Sequence, residues 1–278
     1  MEHDCISVTR RRRIDTLRNS CDMNAIVEFR GAGYSVTRPQ GSSDILRELT
    51  FTVAAGETLV LLGRSGSGKT TALKMVNRLL SPTSGEVLVE GKPTAAWDPI
   101  RLRRRIGYVI QETGLFPHFT VAENIGLVPH LEGWDEERIR SRVRELLEQM
   151  GLSSHEFAAR YPRELSGGQR QRVGVARALA ADPPVLLFDE PFGALDPVTR
   201  LDLQKQFLAL RDALHKTAVF VTHDVREALM LGTRVGLMRN GRLELLATPR
   251  EFLHAENDEA RAFLAGLDWK MEADGPSQ

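Results

Sequence analysis

The chain has 278 residues, of which 42% are hydrophobic, and its 37 basic residues balance 37 acidic ones, so its net charge is zero with neutral histidines. A chain of this length corresponds to about two average domains or one large α/β domain, and its composition excludes collagen, wholesale disorder and a small disulfide-stapled fold. A neutral chain exerts no general attraction on nucleic acid, and its two cysteines, Cys5 and Cys21, indicate a reducing compartment without a disulfide framework.

The first 24 residues are polar, include the run Arg10–Arg13 and show no sustained periodicity, so we expect a flexible tail. Three interpretations of this tail stay open. It could be a solvated segment, it could contact anionic lipid through its arginines, or translation could begin at Met23, so that the preceding residues would not belong to the protein. No apolar stretch follows the arginines as in a signal peptide, and no run in the sequence approaches the about 20 apolar residues that cross a bilayer.

Strands dominate the first third of the remaining chain. Ala25–Phe29 is strand-like, and residues 26–57 are predicted to form short β segments separated by turns, as at Arg38–Ser43. Thr58–Leu62 is apolar on both faces, which is typical of a buried parallel strand, and a glycine-rich turn and a helix at about residues 69–80 follow it. Further strands are predicted at Glu86–Glu90, Ile106–Ile110, Val185–Phe188, Ala218–Thr222 and Val235–Met238.

Helical spacing separates several of these strands. Residues from about 112 to 181 are predicted to be helical, and in Glu136–Met150 the apolar positions fall on one helix face. A second amphipathic helix is marked by Leu203, Phe207, Leu210 and Leu214. Helices between apolar strands predict a parallel sheet with right-handed crossovers.

The segment Gly63–Thr70 fits the pattern G-x-x-x-x-G-K-[ST], with a buried strand before it and a helix after it. Glycines let the backbone curl so that its N–H groups point at phosphate, and the start of the helix adds its positive dipole end. We expect Lys69 to reach the β- and γ-phosphates of a nucleotide and the Thr70 hydroxyl to bind Mg²⁺. The predicted nucleotide-binding residues are Gly63, Arg64, Ser65, Gly66, Ser67, Gly68, Lys69, Thr70 and Thr71.

Two acidic residues, Asp189 and Glu190, follow the apolar strand Val185–Phe188. They are expected at the carboxyl edge of a parallel sheet, which is where such sheets bind ligands. Asp189 is predicted to hold Mg²⁺, mainly through its water shell, and Glu190 to polarise the attacking water. An apolar run that ends in acidic residues is also typical of a helix N-cap, but the phosphate loop in the same chain favours the catalytic interpretation.

The sequence Leu165–Gln169 reads L-S-G-G-Q and precedes a helix rich in arginine and alanine. A serine and two glycines that open a helix offer phosphate a hydroxyl, free N–H groups and a dipole end, about 100 residues from the first phosphate site. On these residues the chain resembles the nucleotide-binding subunits of ATP-binding cassette (ABC) transporters, whose signature is L-S-G-G-Q. The resemblance implies a head-to-tail homodimer in which Lys69 of one protomer and the signature of the other hold each ATP. The signature residues that would contact ATP are Ser166, Gly167, Gly168 and Gln169.

Further positions match the pattern of this family. Tyr34 aligns with the aromatic residue that stacks on adenine, although such a residue also suits packing within a sheet. Gln111 corresponds to the glutamine that touches Mg²⁺ and the attacking water, and His223 to the switch histidine that contacts the γ-phosphate and orients the catalytic carboxylate. Asp196, in the segment 194–196, corresponds to a residue that crosses the dimer seam, and it also suits a helix start. The implied catalytic residues are thus Glu190, His223, Gln111 and Lys69, and the implied metal ligands are Thr70, Gln111 and Asp189.

The resemblance covers about residues 25–250 and implies an α/β fold. We expect a P-loop NTPase (RecA-like) core with a parallel sheet, an antiparallel β subdomain and an inserted α-helical signature subdomain at about residues 112–181. The ATPase domain is expected over residues 25–256, between the tail at residues 1–24 and a C-terminal tail at residues 257–278. ATP and Mg²⁺ are the implied cofactors.

A finer similarity over Ile106–Ile125 and Val128–Pro129 points to importers of quaternary amines such as glycine betaine, choline and carnitine. It implies transmembrane permease subunits as partners, with a coupling helix that enters a groove formed partly by Gly114–Phe119. It also implies an indirect link to an extracytoplasmic substrate-binding protein and no nucleic-acid partner. The expected location is the cytoplasmic face of the inner or plasma membrane, peripheral through the permease. The about 30 residues after Pro249 are too few for the pair of CBS domains that several such proteins carry.

Other functions stay open as alternatives. The chain could serve an importer of another solute, or a lipid or export system. A soluble ABC ATPase acting on DNA or ribosomes is disfavoured, because such proteins usually carry a second cassette, a coiled coil or a basic insertion. A P-loop kinase does not explain Leu165–Gln169. The favoured prediction is an ATP hydrolase coupled to transmembrane transport.

Overall fold

The computed structural model describes residues 24–39, 41–111, 114–193 and 195–273. Residues 1–23 of the predicted N-terminal tail (residues 1–24), with both cysteines and Met23, lie outside the described residues, as does Ala194. No helix within the described ranges combines the length and the apolar character that crossing a membrane requires.

Strands and helices alternate along the described chain. The strands are β1 Ala25–Arg38, β2 Gly41–Ala54, β3 Thr58–Leu62, β4 Ser84–Val89, β5 Lys92–Pro93, β6 Ile106–Val109, β7 Val185–Asp189, β8 Thr217–Thr222, β9 Arg234–Arg239 and β10 Arg242–Ala247. The α-helices are α1 Lys69–Val76, α2 Pro99–Arg104, α3 Val121–Leu131, α4 Glu136–Gln149, α5 Ser154–Phe157, α6 Gly167–Leu179, α7 Pro197–Leu214, α8 Val225–Leu231, α9 Pro249–Leu253 and α10 Asp258–Ala273. Short 3-10 helices lie at Thr94–Ala96 and Pro162–Glu164.

The strands form two sheets, one antiparallel and one mainly parallel. The antiparallel sheet has the order β2-β1-β4-β5, and the second sheet has the order β10-β9-β3-β8-β7-β6. In the second sheet only β10, at one edge, runs antiparallel to its neighbour. The parallel sheet and the antiparallel β subdomain predicted from the sequence are both present, so the expected α/β fold class is confirmed.

The antiparallel sheet is more continuous than the sequence indicates. β1 and β2 each span 14 residues, where turn residues predicted shorter segments. Arg38 pairs with Gly41 and Thr37 with Ser42, so strand pairing extends into the segment Arg38–Ser43, where turn residues were expected. Register shifts along the ribbon, for example between Phe29 and Ala32, let two long strands stay paired while they bend.

Alternation along the parallel strands builds a hydrophobic core on each face of the sheet. In β3, Leu59 and Leu61 belong to the core shared with the antiparallel sheet, whereas Val60 and Leu62 belong to the core under the helices. Phe188 of β7 stacks on Phe220 of β8 with ring centroids 4.2 Å apart, in the second of these cores. Burial on both faces explains why these strands are uniformly apolar.

Four helices, α3 to α6, lie between β6 and β7. Each of α3, α4 and α6 begins at a side chain that accepts a hydrogen bond from the first turn: Thr120, Asp135 and Ser166. The loop before α3 is fixed by the fully buried Asn124. Its amide donates to the carbonyl oxygens of Phe116 (3.1 Å), Phe119 (3.2 Å) and Thr120 (2.9 Å).

The C-terminal tail expected over residues 257–278 is, as far as residue 273, the helix α10. Ala260, Phe263, Leu264 and Leu267 recur at helical spacing and pack on the core under the helices. Asn257 caps the helix, because its side-chain oxygen accepts hydrogen bonds from the backbone of Glu259 (2.9 Å) and Ala260 (3.1 Å). The described part of this segment as far as Leu267 is therefore packed on the folded body.

Candidate functional site

The predicted catalytic residues follow strands that end at one edge of the parallel sheet. β3 leads into the phosphate loop, β6 into Gln111, β7 ends at Asp189 before Glu190, and β8 ends just before His223. Because β6, β7, β8 and β3 are parallel neighbours, their carboxyl ends meet at this edge. Residues far apart in the sequence thus face one site.

The phosphate loop adopts the backbone conformation for which its glycines were expected. Gly66 and Gly68 have φ angles of 78° and 100°, in the left-handed region that favours glycine. Gly68 is the N-cap of α1, and a Cβ atom there would lie 2.5 Å from Cδ2 of Leu46. Because glycine has no side chain, the first backbone N–H groups of α1 receive no side-chain cap. These N–H groups can therefore donate hydrogen bonds to an anion.

Lys69 lies inside this loop with only 4% of its surface exposed. Its ammonium group donates to the carbonyl oxygens of Gly63 (2.7 Å) and Arg64 (3.0 Å). Burial lowers the pKa of Lys69, and the charges of Glu190 and Asp189 oppose that shift. The hydroxyl of Ser67 is buried too, and no hydrogen-bond partner for it is found among the described residues. A phosphate group bound in the loop would satisfy both side chains.

Asp189 connects the phosphate loop to the sheet. Its Oδ1 accepts a hydrogen bond from the Thr70 hydroxyl at 2.7 Å, and its Oδ2 accepts one from the Tyr108 hydroxyl at 3.2 Å. Burial is the main reason why the pKa of Tyr108 is raised, with the charge of Asp189 second, so the phenol stays a neutral donor. A buried carboxylate beside a threonine hydroxyl is a set of hard oxygen ligands, and it fits a magnesium ion.

Glu190, His223 and Gln111 converge next to Asp189. Glu190 Oε2 lies 3.1 Å from His223 Nδ1. A Cβ atom placed on Gly193 would lie 3.7 Å from Gln111 Nε2 and 3.9 Å from Glu190 Oε2, so these two side chains flank the same glycine. Glu190 has a φ angle of 45°, which is strained for a residue with a side chain, and its N–H donates to Val221 at 3.0 Å. The hydrogen bond to the β8 carbonyl thus holds the Glu190 backbone in a conformation that is uncommon for a residue with a side chain.

The signature residues lie together at the start of α6. The Ser166 hydroxyl accepts from the Gln169 backbone (3.2 Å), and the Gln169 side chain accepts from the Ser166 backbone (2.8 Å), so the two residues form a capping box. A Cβ atom on Gly168 would lie 2.4 Å from Cγ2 of Thr199, and one on Gly167 would lie 3.9 Å from Cδ2 of Leu195. The signature therefore borders the start of α7.

Asp196 is the N-cap of α7, as the helix-start interpretation predicts. It accepts a hydrogen bond from the Thr199 backbone at 3.0 Å, and hydrogen bonds from Thr199 lower the pKa of Asp196. Asp196 thus belongs to the same exposed region as the signature. Its predicted place at a dimer seam stays a prediction.

Tyr34 lies on β1, where it pairs with Leu46 of β2. Its partly buried ring packs on the core between the two sheets. This environment favours the sheet-packing interpretation of Tyr34. Its predicted contact with adenine stays a prediction.

Three residues that lie near the site were not identified from the sequence. Tyr108 contacts Asp189, Glu227 is buried behind His223, and Glu259 pairs with Arg64 of the phosphate loop. The spacing of Glu227, four residues after His223 at a helix start, is a weak hint. For Tyr108 and Glu259 the partner lies on a distant element, so only the tertiary fold reveals the contact.

The fold and this edge of the sheet define a P-loop NTPase type of protein, an α/β domain with a phosphate-binding loop. A family model described as ABC transporter matches residues 46–193. The chain belongs to the ABC transporter family.

Curated relatives are similar over most of this chain. The osmoprotectant import ATP-binding protein OsmV of Salmonella typhimurium is 51% identical over 79% of this chain and 58% of its own length. The choline transport ATP-binding protein OpuBA of Bacillus subtilis is 46% identical over 85% of this chain and 62% of its own length. The glycine betaine uptake system ATP-binding protein YehX of Escherichia coli is 48% identical over 82% of this chain and 74% of its own length. The chain thus spans less than two thirds of the length of OsmV and OpuBA.

Solved structures agree on the architecture. The dimeric structure of the ATP-binding cassette MJ0796 in a post-hydrolysis state with ADP and Pi has a TM-score of 0.73 and 34% identity, covering 81% of this chain and 99% of that one. CbiO1 of Clostridium perfringens, part of the ABC transporter complex cbiONQ, has a TM-score of 0.76 and 27% identity, covering 90% of this chain and 99% of that one. The similarity therefore extends over nearly the whole of both cassettes.

Proposed function

We propose that this chain is the ATP-hydrolysing subunit of an ABC importer for small quaternary-amine solutes, such as glycine betaine, choline or carnitine. The observation that carries the proposal is the convergence of Lys69, Thr70, Asp189, Glu190 and His223 at one edge of the parallel sheet. The solute class rests on the relatives, which are named for osmoprotectant, choline and glycine betaine transport.

The chemistry of the proposed reaction is the attack of water on the γ-phosphorus of ATP. Lys69, buried within the loop, would neutralise charge on the β- and γ-phosphates. Glu190 would accept a hydrogen bond from the attacking water and draw its proton away, while His223 holds the carboxylate in place from 3.1 Å. The new O–P bond forms as the bond to the bridging oxygen breaks, and ADP leaves with the electron pair.

Asp189 and Thr70 would hold a magnesium ion, with Gln111 beside them. Mg²⁺ supplies charge neutralisation between the phosphates when it is bound. Asp189 and Thr70 already share a hydrogen bond at 2.7 Å, so both oxygens lie close enough to face one cation. Gln111 lies across Gly193 from Glu190, where it would contact both the metal ion and the attacking water.

A homodimer would complete each site. The signature at Ser166–Gln169 borders Leu195 and Thr199 and offers a helix start to a second nucleotide. The cassette of similar structure with ADP and Pi is described as dimeric, which supports this arrangement. Closure around two ATP molecules would move the permease, and hydrolysis would reopen the dimer.

A groove in the helical insertion, the helices α3 to α6 between β6 and β7, suits the proposed permease partner. Its volume is about 770 Å³, and it lies between α3, α4 and α5. Phe119, in the loop before α3, lines the groove together with Ala122, Leu127, Ile139 and Val143, and charged residues lie at its rim. An apolar groove of this kind accepts an amphipathic helix. Asn124 holds the backbone of Phe119, the one residue of the expected segment Gly114–Phe119 that lines the groove. The subunit would then be peripheral to the membrane through the permease, with a substrate-binding protein acting indirectly.

The experiment combines the chain with its membrane subunits in liposomes and measures ATPase activity with candidate solute-loaded binding proteins. We expect Glu190→Gln to keep ATP affinity and lower turnover by at least about 100-fold, because the proton acceptor is lost. Lys69→Ala should weaken ATP binding by about tenfold or more. The exposed residues Glu137 and Lys205 offer matched controls, Glu137→Gln and Lys205→Ala. Parent-like turnover of the Glu190 variant, or parent-like ATP affinity of the Lys69 variant, would contradict the proposal.

A further inference from the structure

Glu259, in the first turn of α10, contacts the phosphate loop directly. Its side chain is 7% exposed, and its Oε1 accepts a hydrogen bond from Arg64 Nε at 2.5 Å. A second nitrogen of Arg64 lies 3.5 Å from Oε2, and Arg239 Nε of β9 lies 3.7 Å from the same oxygen. A buried carboxylate thus lies between a residue of the phosphate loop and a residue of the sheet.

The backbone of Arg64 is part of the contact that holds Lys69. The Arg64 carbonyl accepts hydrogen bonds from Lys69 Nζ at 3.0 Å and from the Ser67 backbone at 3.2 Å. The ion pair with Glu259 therefore holds the side chain of a residue whose carbonyl orients Lys69. Glu259 lies 195 positions away from Arg64 in the sequence.

The position of Glu259 is set by rigid neighbours. Asn257 caps the helix through the backbone of Glu259, and the next residue, Ala260, is fully buried. The turn between β9 and β10 holds the same loop, because the Gly241 backbone donates to the Ser67 carbonyl at 3.1 Å. The outer side of the phosphate loop is thus fixed by α10 and by this turn.

We propose that Glu259 is a positioning residue for nucleotide binding, which couples α10 to the phosphate loop through Arg64. This inference rests on the proposed function, since it needs the loop to bind ATP. Holding Arg64 keeps the Gly63 and Arg64 carbonyls in the geometry that Lys69 requires, so the loop reaches ATP already ordered. A displacement of α10 would then change the affinity of the loop for ATP.

The test is a double-mutant cycle of Arg64→Met and Glu259→Gln in the full chain, with the dissociation constant for ATP measured by calorimetry. Each single variant should bind ATP about fivefold more weakly, and the double variant should lose much less than the product of the two factors. Asp258→Asn is the matched control, because Asp258 is an exposed acid on the same helix turn. It should bind ATP like the parent.

Amide hydrogen exchange of residues 63–70 gives a readout that a general loss of stability would not localise. We expect faster exchange there in Arg64→Met and Glu259→Gln and no change in Asp258→Asn. Should Glu259→Gln fail to fold, Arg64→Met still carries the test, since the Arg64 side chain is 70% exposed.

Two outcomes would overturn this inference while the proposed function stands. The first is ATP affinity equal to that of Asp258→Asn in both single variants, while Lys69→Ala loses affinity. The second is a double variant whose loss is the full product of the single losses, because the two residues would then act separately. If Lys69→Ala binds ATP as the parent does, the proposed function fails and this inference fails with it.

Discussion

Asp189 connects the predicted catalytic side chains to the rest of the fold. Its two carboxylate oxygens have different partners, the Thr70 hydroxyl on the phosphate loop and the Tyr108 hydroxyl on β6. The two hydrogen bonds together fix the plane of the carboxylate. Tyr108 therefore acts on the proposed metal site through Asp189 and not by a contact of its own.

We predict that Tyr108→Phe raises the Mg²⁺ concentration needed for half-maximal ATPase activity by about three- to tenfold. One oxygen of Asp189 then loses its partner, and the carboxylate is free to rotate. ATP binding measured without Mg²⁺ should be unchanged. Tyr161→Phe, at an exposed tyrosine, is the matched control. An unchanged Mg²⁺ requirement in Tyr108→Phe would show that the hydroxyl does not position Asp189.

At the scale of elements, a buried carboxylate joins α7, β8 and α8 behind His223. Glu227 of α8 accepts hydrogen bonds from the Thr222 hydroxyl (2.5 Å) and from the Gln204 amide of α7 (3.0 Å). Thr222 directly precedes His223, and Gln204 lies on α7, the helix whose start borders the signature. Glu227 thus connects α7 to the turn that carries His223.

Burial raises the pKa of Glu227, and the nearby charge of Asp224 adds to that shift, whereas the hydrogen bonds and Arg200 oppose it. The folded state consequently holds this proton at pH values where the unfolded chain has released it. The contribution of Glu227 to the free energy of unfolding is fully present below the pKa that this carboxyl has in the unfolded chain. It is lost as the pH rises through the pKa that the carboxyl has in the folded state.

We therefore predict that Glu227→Gln has a larger free energy of unfolding than the parent at pH 8. The difference between the two should shrink as the pH falls to 5. The amide oxygen can accept from Gln204 while the amide NH2 donates to the Thr222 oxygen, and the amide carries no buried charge. Urea unfolding monitored by circular dichroism across this pH range measures it. Glu137→Gln, at an exposed site, should run parallel to the parent. A difference that grows toward acid pH would refute the assignment.

At the scale of the whole molecule, the two predicted phosphate-binding features occupy different parts of the fold. The phosphate loop lies at the sheet edge between β3 and α1, whereas the signature opens α6 in the helical insertion and borders α7. Ser166 and Gln169 already satisfy each other, and Gly167 is exposed. A second copy of the chain, turned head to tail, would bring one feature opposite the other.

We predict that mixing two inactive variants, Lys69→Ala and Ser166→Arg, restores part of the ATPase activity. Only a mixed dimer contains one composite site with an intact Lys69 and an intact Ser166. Specific activity of the parent should also fall on dilution, with second-order dependence on enzyme concentration. Activity that is independent of dilution, with no restoration in the mixture, would exclude the shared site.

Many structural features of this protein are determined by residues that are neighbours in the sequence. The phosphate loop, the apolar strands β3, β7 and β8, and the helix start at Ser166 follow from glycine conformation, from burial on both sheet faces and from capping, which act over a few residues. The same is true of the helix cap that Asp196 forms. Such features are predictable because the residues that cause them are neighbours in the sequence.

Contacts between distant elements were decided by the tertiary structure. Whether Glu259 pairs with Arg64, whether Tyr108 reaches Asp189 and whether Glu227 is buried behind His223 all depend on how helices and strands pack. Residues 257–278 were expected to form a tail, and the structure has the helix α10 there, capped by Asn257 and packed on the core formed by other elements. Pairing energies between distant side chains arise only after the core has brought them together, so a single sequence carries no local trace of them.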